Sequence, residues 1–242
     1  MNTLMLSSAG LTAQTNVLAA LDADLANQQS VGFLALMPAT AVWAATPLER
    51  VGAAGAAPIA AAVPLSVAAV TQRNLAPSAY ETTGNPLDAA LATDAFFVVQ
   101  TAQGIAYTRA GAFAVSPTGL LVTGSGNPVL ATNGAPIRLP VDAAVAIDAT
   151  GAVSANGQSV ATLQQVRLTG TITALGGSLY TGTAIPVVGG LVVPGALNTS
   201  NVALTQTLAA LTRAQALYGA NASAWHVAMQ IRQQGDQLAQ LP

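Results

Sequence analysis

The sequence has no cysteine, no lysine and a single histidine, His226. Without cysteine no disulfide framework can form. With one histidine besides, neither a structural zinc site nor a histidine-rich catalytic metal centre is expected from this chain, and no cofactor is assigned to it. The seven basic residues are all arginine (Arg50, Arg73, Arg109, Arg138, Arg167, Arg213 and Arg232) and stand singly. They make no stripe that could neutralise a run of phosphates, so no nucleic-acid partner is expected. Charged residues are only 7% of the chain, against about 25% in an ordinary soluble domain. Such a surface has little charge to hold a free monomer in solution. A membrane protein, an environment that disfavours charge, or an assembly that buries most of each subunit would each account for it.

The sequence weighs the first of these directly. The uncharged run Val51–Gln72 lies between Arg50 and Arg73 but is mostly alanine, broken by Gly52, Gly55, Pro58 and Pro64. The longer uncharged run, Leu168–Thr212, is cut repeatedly by glycine and proline and reads as strands and turns. No stable membrane insertion is expected from either, since a span needs about 20 predominantly apolar residues. The start, Met1-Asn2-Thr3-Leu4, has no basic region, and Asp22 precedes any arginine, so no cleaved secretory signal is expected.

What is present is helical at the two ends. Leu4, Leu11, Leu18 and Leu25 recur every seven residues, with Leu21 beside them, and predict a helix from about Asn2 to Asn27, closed near Gly32. Near the other end, Asn198-Thr199-Ser200-Asn201 offers capping oxygens, and no proline occurs from Val202 to Leu241. Leu204, Leu208, Leu211, Gln215, Tyr218, Ala222, Trp225 and Met229 are spaced alternately four and three apart, as in a coiled-coil seam. Stripes this thin are marginal as isolated helices, so the two are expected to pair.

Between them the period changes to two. Phe96-Phe97-Val98-Val99, Tyr107–Val115 and Leu120-Leu121-Val122 are each followed by glycine-bearing turns and predict short strands. Asn133-Gly134 and Asn156-Gly157 predict type I′ hairpin turns, the second between Ala152-Val153-Ser154 and a strand from Val160 to Leu168. The fold class is therefore mainly β with terminal α-helices. An all-β module of roughly 80–195 is inserted between an N-terminal helix (1–33) and a C-terminal helix (196–242) that pair as a coiled coil. Residues 34–79, rich in alanine and proline, read as an extended connector or poorly patterned strands.

No catalytic constellation emerges, and the chain is not expected to be an enzyme. Gly124-Ser125-Gly126 reads as a turn because no helix follows to receive a phosphate. His226, between Trp225 and Val227, reads as a packing residue. Asp88 and Asp94 could be drawn as paired carboxylates, but nothing places them in one cleft, and Asp88 after Pro86 suits a turn. Arg109 is isolated in the β region, which suits a surface salt bridge, a bond to turn carbonyls, or a subunit contact.

Three segments, in order, resemble one family. Leu25-Ala26-Asn27-Gln28-Gln29-Ser30-Val31-Gly32-Phe33 resembles the N-terminal signature of flagellar rod and hook proteins. Gly84-Asn85-Pro86-Leu87-Asp88, then Phe96-Phe97, Tyr107-Thr108-Arg109-Ala110-Gly111 and Gly119-Leu120-Leu121, resemble their central signature. Ser200-Asn201-Val202, with Tyr218 beyond, is similar to their C-terminal one. The chain departs from the pattern at Ser30, Asp22-Ala23-Asp24 and Ala95. The length and the short stretch before the β module are most like the proximal-rod FlgF type.

The resemblance implies an axial structural subunit of the flagellar basal-body rod, exported unfolded through the flagellar type III apparatus without signal cleavage. Its implied partners are other rod subunits and copies of itself, and its implied location is the periplasm-spanning rod. The helix seams and the signatures are then the assembly residues. The competing readings are another flagellar axial protein, of distal rod or hook, and an envelope-associated β-rich adhesin or hydrolase.

Overall fold

The computed structural model describes residues 2–44, 64–140, 143–187, 189 and 192–238, and the chain divides into two compact units. One unit takes Met1–Leu25, Leu36–Gln72 and Leu204–Pro242; the other takes Ala26–Ala35 and Arg73–Ala203. Of the run Val51–Gln72, residues 51–63 lie outside the described residues and the remainder is strand. Among the described residues no helix is long and apolar enough to cross a membrane.

The helical unit contains α1 (Asn2–Ala26), α2 (Leu204–Leu238) and a two-stranded sheet of β1 (Leu36–Ala44) and β2 (Pro64–Arg73). The stretch read as an extended connector or poorly patterned strands thus contributes a strand pair, the second of those readings. Alanine-rich segments punctuated by proline carry little periodicity, which is why the pattern did not announce it. Among the side chains of α1 described from Leu11 on, Ala13, Val17, Ala20, Leu21 and Asp24 are buried, on one face of the helix. Val17 and Leu21 form a buried cluster with Ala214 of α2, and Leu18, Ala210 and Leu211 pack against it. Gln14 Nε2 donates to the Ala214 carbonyl at 3.1 Å.

The second unit is all β. It contains β3 (Tyr80–Thr82), β4 (Ala89–Leu91), β5 (Ala95–Thr101), β6 (Gly104–Thr108), β7 (Phe113–Val115), β8 (Leu121–Thr123) and β9 (Val145–Ile147). β10 (Ala152–Ala155), β11 (Gln158–Thr162), β12 (Gln165–Gly176), β13 (Leu179–Pro186), β14 (Val192–Pro194) and β15 (Ala196–Asn198) follow. β12, β13, β6 and β5 close into a barrel, with Phe97 opposite Thr108, Val166 opposite Phe96 and Tyr180 opposite Tyr107. The predicted strand Tyr107–Val115 is divided: β6 ends at Thr108, and β7 begins only at Phe113 and pairs with β8. The stretch Val160–Leu168 is likewise shared between β11 and β12.

Two apolar cores flank β5. Phe97 and Val99 enter one, with Phe113, Leu121 and Val153; Phe96 and Val98 enter the other, with Leu34, Val166 and Tyr180. Alternate residues of a strand point to opposite faces, so Ala95–Val99 is an unbroken apolar run because neither face meets water. The two Asn-Gly pairs differ. Asn156 (φ 53°) and Gly157 (φ 80°) both occupy the left-handed region, as a type I′ turn between β10 and β11 requires. At Asn133-Gly134 only the glycine has positive φ, and its N–H closes a turn on the Ala131 carbonyl at 2.8 Å. Glycine there ends the turn instead of forming its second centre, so that turn is not type I′.

Candidate functional site: a clasp of signature residues

Three passes of the chain in the β unit meet in one place: 32–35, which follows α1 in sequence, 73–76, which follows β2, and 198–201, which precedes α2. Each backbone polar group of Leu34 and Ala35 is taken by a distant residue. Leu34 N–H donates to the Tyr180 hydroxyl (2.9 Å), and Arg73 Nη1 donates to the Leu34 carbonyl (2.7 Å). Ala35 N–H donates to Asn201 Oδ1 (2.6 Å), and the Ala35 carbonyl accepts from Asn74 N–H (2.9 Å). Asn201 completes the tie through its own N–H to the Phe33 carbonyl (3.2 Å) and through Nδ2 to the Asn74 carbonyl (2.8 Å). The Arg73 guanidinium lies 5.5 Å from the ring centres of both Phe33 and Tyr180.

Asn198 is 1% exposed and bonds both polar groups of Leu91: Leu91 N–H donates to Oδ1 (2.7 Å), and Nδ2 donates to the Leu91 carbonyl (3.0 Å). Its own carbonyl receives Gly32 N–H at 2.9 Å. The side-chain oxygens of Asn198 and Asn201, read from the sequence as helix caps, are therefore spent on the β unit. Gly32 has φ +66°, and a Cβ there would overlap the Arg109–Ala110 peptide, so both its conformation and its surroundings require glycine. Asn27 opens the turn after α1, its carbonyl accepting Ser30 N–H (3.0 Å) and its Oδ1 the Ser30 hydroxyl (3.0 Å).

Arg109 is bound by the second of these passes, 73–76, which forms a strap over it. It is 1% exposed, with Nε on the Ala95 carbonyl (3.2 Å), Nη1 on Ala76 (3.0 Å) and Nη2 on Leu75 (2.8 Å), and its guanidinium carbon 4.7 Å from the Phe96 ring centre. Of the sequence alternatives, the bond to turn carbonyls is the one this geometry shows. Burial pushes the guanidinium down to about 10, partly opposed by the Asp94 carboxylate and by Tyr180. It therefore remains charged at neutral pH.

The central signature folds as a polar turn. Asn85 Oδ1 accepts Leu87 N–H (3.2 Å), while the Asp88 carboxylate accepts the Thr83 hydroxyl (2.6 Å) and Asn85 Nδ2 (2.9 Å). Gly84 takes φ +76°, and Pro86 leads into Leu87, half-buried against the first core. Gly111 lies so close to the Ala89 carbonyl that a Cβ would collide with it, and it would also crowd the Phe97 ring. Thr108 is buried and donates to the Ser178 carbonyl (2.8 Å), and Tyr107 packs against the second core. Asp94 is engaged elsewhere, in an ion pair with Arg167 at 2.8 Å. The two carboxylates weighed as a catalytic pair thus have separate partners.

The helix-seam residues divide. Leu18, Leu21 and Leu211 come together in the α1–α2 cluster. Leu11 and Leu25 are half-buried, as are Val202, Trp225 and Met229, whereas Leu204, Leu208 and Tyr218 are exposed. Leu4 falls in α1, but its side chain is outside the described set. His226 is exposed, its ring edge-on to Trp225. An open cleft of about 420 Å³ beside the clasp is lined by Gln28, Gln29, Glu81, Thr83 and Ser200 among others; its one ionisable lining side chain is Glu81. Among the described residues no group of three or more His, Asp or Glu could hold a metal. Reading the sequence missed Arg73, Asn74 and Tyr180 as members of the clasp, because nothing local marks residues whose partners lie more than 30 positions away.

Comparison with known proteins gives one match whose bounds lie within the β unit. Residues 90–155, which carry most of the first core, match the flagellar hook protein FlgE/F/G D1 domain. The chain is 36% identical over 148 residues to the flagellar basal-body rod protein FlgF of Escherichia coli (strain K12), covering 60% of this chain and 54% of that relative. It is 47% identical over 78 residues to the flagellar basal-body rod protein FlgG of Bacillus subtilis (strain 168), covering 32% and 30%. To FlgF of Rhizobium meliloti (strain 1021) it is 46% identical over 82 residues, 34% of each. The matched stretches thus span about half of the first relative and about a third of the other two.

Proposed function

We propose, on the premise that this chain is a relative of the flagellar basal-body rod proteins, that it is a structural subunit of the rod which assembles axially through its terminal helices. The observation that carries the proposal is how the two helices spend their apolar residues. The intrachain contact uses Val17, Leu21 and Ala214, while Leu204 and Leu208 remain 43% and 44% exposed. A 35-residue helix that leaves leucines in water along one side is suited to a neighbouring copy. The low charge of the whole chain fits the same reading, because a surface buried between subunits needs few solvating groups.

The clasp supplies the complement. It fixes the points at which the chain enters and leaves the β unit, so that the unit is folded independently of what the helices contact. The 148-residue match to a FlgF supports the proximal-rod type. Export through the flagellar type III apparatus, contacts with other rod subunits and a place in the basal body belong to the same proposal. The test is an in-frame deletion in the source bacterium, scored by swimming and by electron microscopy of basal bodies. Loss of motility with a rod that stops before the hook is the expected result; normal basal bodies would overturn it.

A further inference from the structure

Both Asn-Gly pairs lie in exposed turns, yet the structure treats their reactive atoms differently. Conversion of such a pair begins when the glycine nitrogen attacks the asparagine Cγ. A C–N bond forms, the proton on the attacking nitrogen passes to solvent, and Nδ2 leaves as ammonia after taking a proton from water. Water then opens the succinimide at either carbonyl, so the net change is asparagine plus water giving aspartate or isoaspartate plus ammonia. The attacking nitrogen must be free, and negative charge collects on Oδ1 as the bond forms.

At Oδ1 the two sites are alike. Asn133 Oδ1 accepts Ala135 N–H (3.0 Å), and Asn156 Oδ1 accepts Ala144 N–H (3.0 Å), so each has a backbone donor on the oxygen that becomes negative. At the nucleophile they differ. Gly134 N–H is committed to the Ala131 carbonyl at 2.8 Å, whereas Gly157 N–H has no acceptor among the described residues. We infer that Asn156 is a site of spontaneous deamidation and isoaspartate formation, and that the turn hydrogen bond of Gly134 protects Asn133. The consequence is local and structural. An isoaspartyl linkage adds a backbone atom to the two-residue turn that sets the β10–β11 register, and it disturbs the Asn156 N–H bond to the Ala144 carbonyl (2.9 Å).

The full-length protein, incubated in mildly alkaline buffer and mapped by peptide mass spectrometry, gives the answer. Asn156 should gain the mass of the amide-to-acid change about fivefold faster than Asn133, the factor that giving up one turn hydrogen bond takes from the attacking population. The product should contain both aspartate and isoaspartate. Gly134→Ala should leave the rate at Asn156 unchanged, and Gly157→Ala should slow it. Because the second change strains a turn at φ 80°, amide exchange at Ala155 and Gln158 is followed alongside. Equal or faster conversion of Asn133, or aspartate as the sole product at Asn156, would overturn the inference.

Discussion

Arg109 places a full charge where water cannot reach it, held by three carbonyls that converge on its fork. A lysine keeps the charge but lacks the planar array of donors, so Arg109→Lys leaves carbonyls of the strap unanswered. The expected loss is about 3 kcal/mol or more in unfolding free energy by urea titration, in line with breaking a buried charged contact. Gly32→Ala should cost at least about 1–2 kcal/mol from the left-handed backbone alone, before its overlap with the Arg109–Ala110 peptide is counted. The same melts across pH test Asp148. Its carboxyl is held below the usual 3.8 by the Thr150 hydroxyl and the Ala152 N–H. Its contribution is therefore present above the ordinary carboxylate range and is lost as pH falls through its depressed value. Asp148→Asn should lower the neutral plateau of the stability profile and flatten its acid side, the two profiles converging at low pH. Little of this is visible in sequence. Arg109 takes two of its three acceptors from residues 33 and 34 positions earlier, and chain pattern carries no information about partners at that distance.

β5 gives the clearest prediction at the scale of elements. A half-buried strand tolerates polar change at every second position, but Phe96 and Phe97 enter opposite cores. Phe96→Ala and Phe97→Ala should therefore each cost about 3–5 kcal/mol by chemical denaturation, with no mild member of the pair. The apolar run Ala95–Val99 was legible as a strand from its composition and following turn. That both faces are covered was not, because continuous apolar runs arise equally from strands and buried helices. The long helices were legible for the opposite reason, that period and absence of proline extend over many turns. Reading failed where an element is divided by one special contact. The predicted strand Tyr107–Val115 breaks at Arg109–Ala112, where Arg109 turns to the strap and Gly111 lies against Ala89.

For the molecule as a whole the division into two units allows folding and the proposed assembly to be tested apart. The leucine heptad read in α1 runs beside the buried stripe: Val17 and Leu21 are covered, Leu18 lies at the edge of the cluster, and Leu11 and Leu25 are half-buried. Periodicity finds that a helix is amphipathic, but a thin stripe of leucines among alanines does not reveal which side takes the partner in the same chain. Two aspartate substitutions distinguish the sides. Leu21→Asp puts a carboxylate into the α1–α2 cluster, and should separate the helices while the β unit keeps its melting transition. Leu208→Asp changes a side chain that is already 44% exposed, so helicity and the α1–α2 contact should persist in circular dichroism and amide exchange. If Leu208 faces a neighbouring subunit, the same substitution must nevertheless stop incorporation into the rod, because there the carboxylate would be buried without a partner. A folded Leu208→Asp protein that restores swimming to the deletion strain would move the assembly contact to another face of α2. A folded protein that fails to restore it locates the contact on the side that the intrachain pair leaves open.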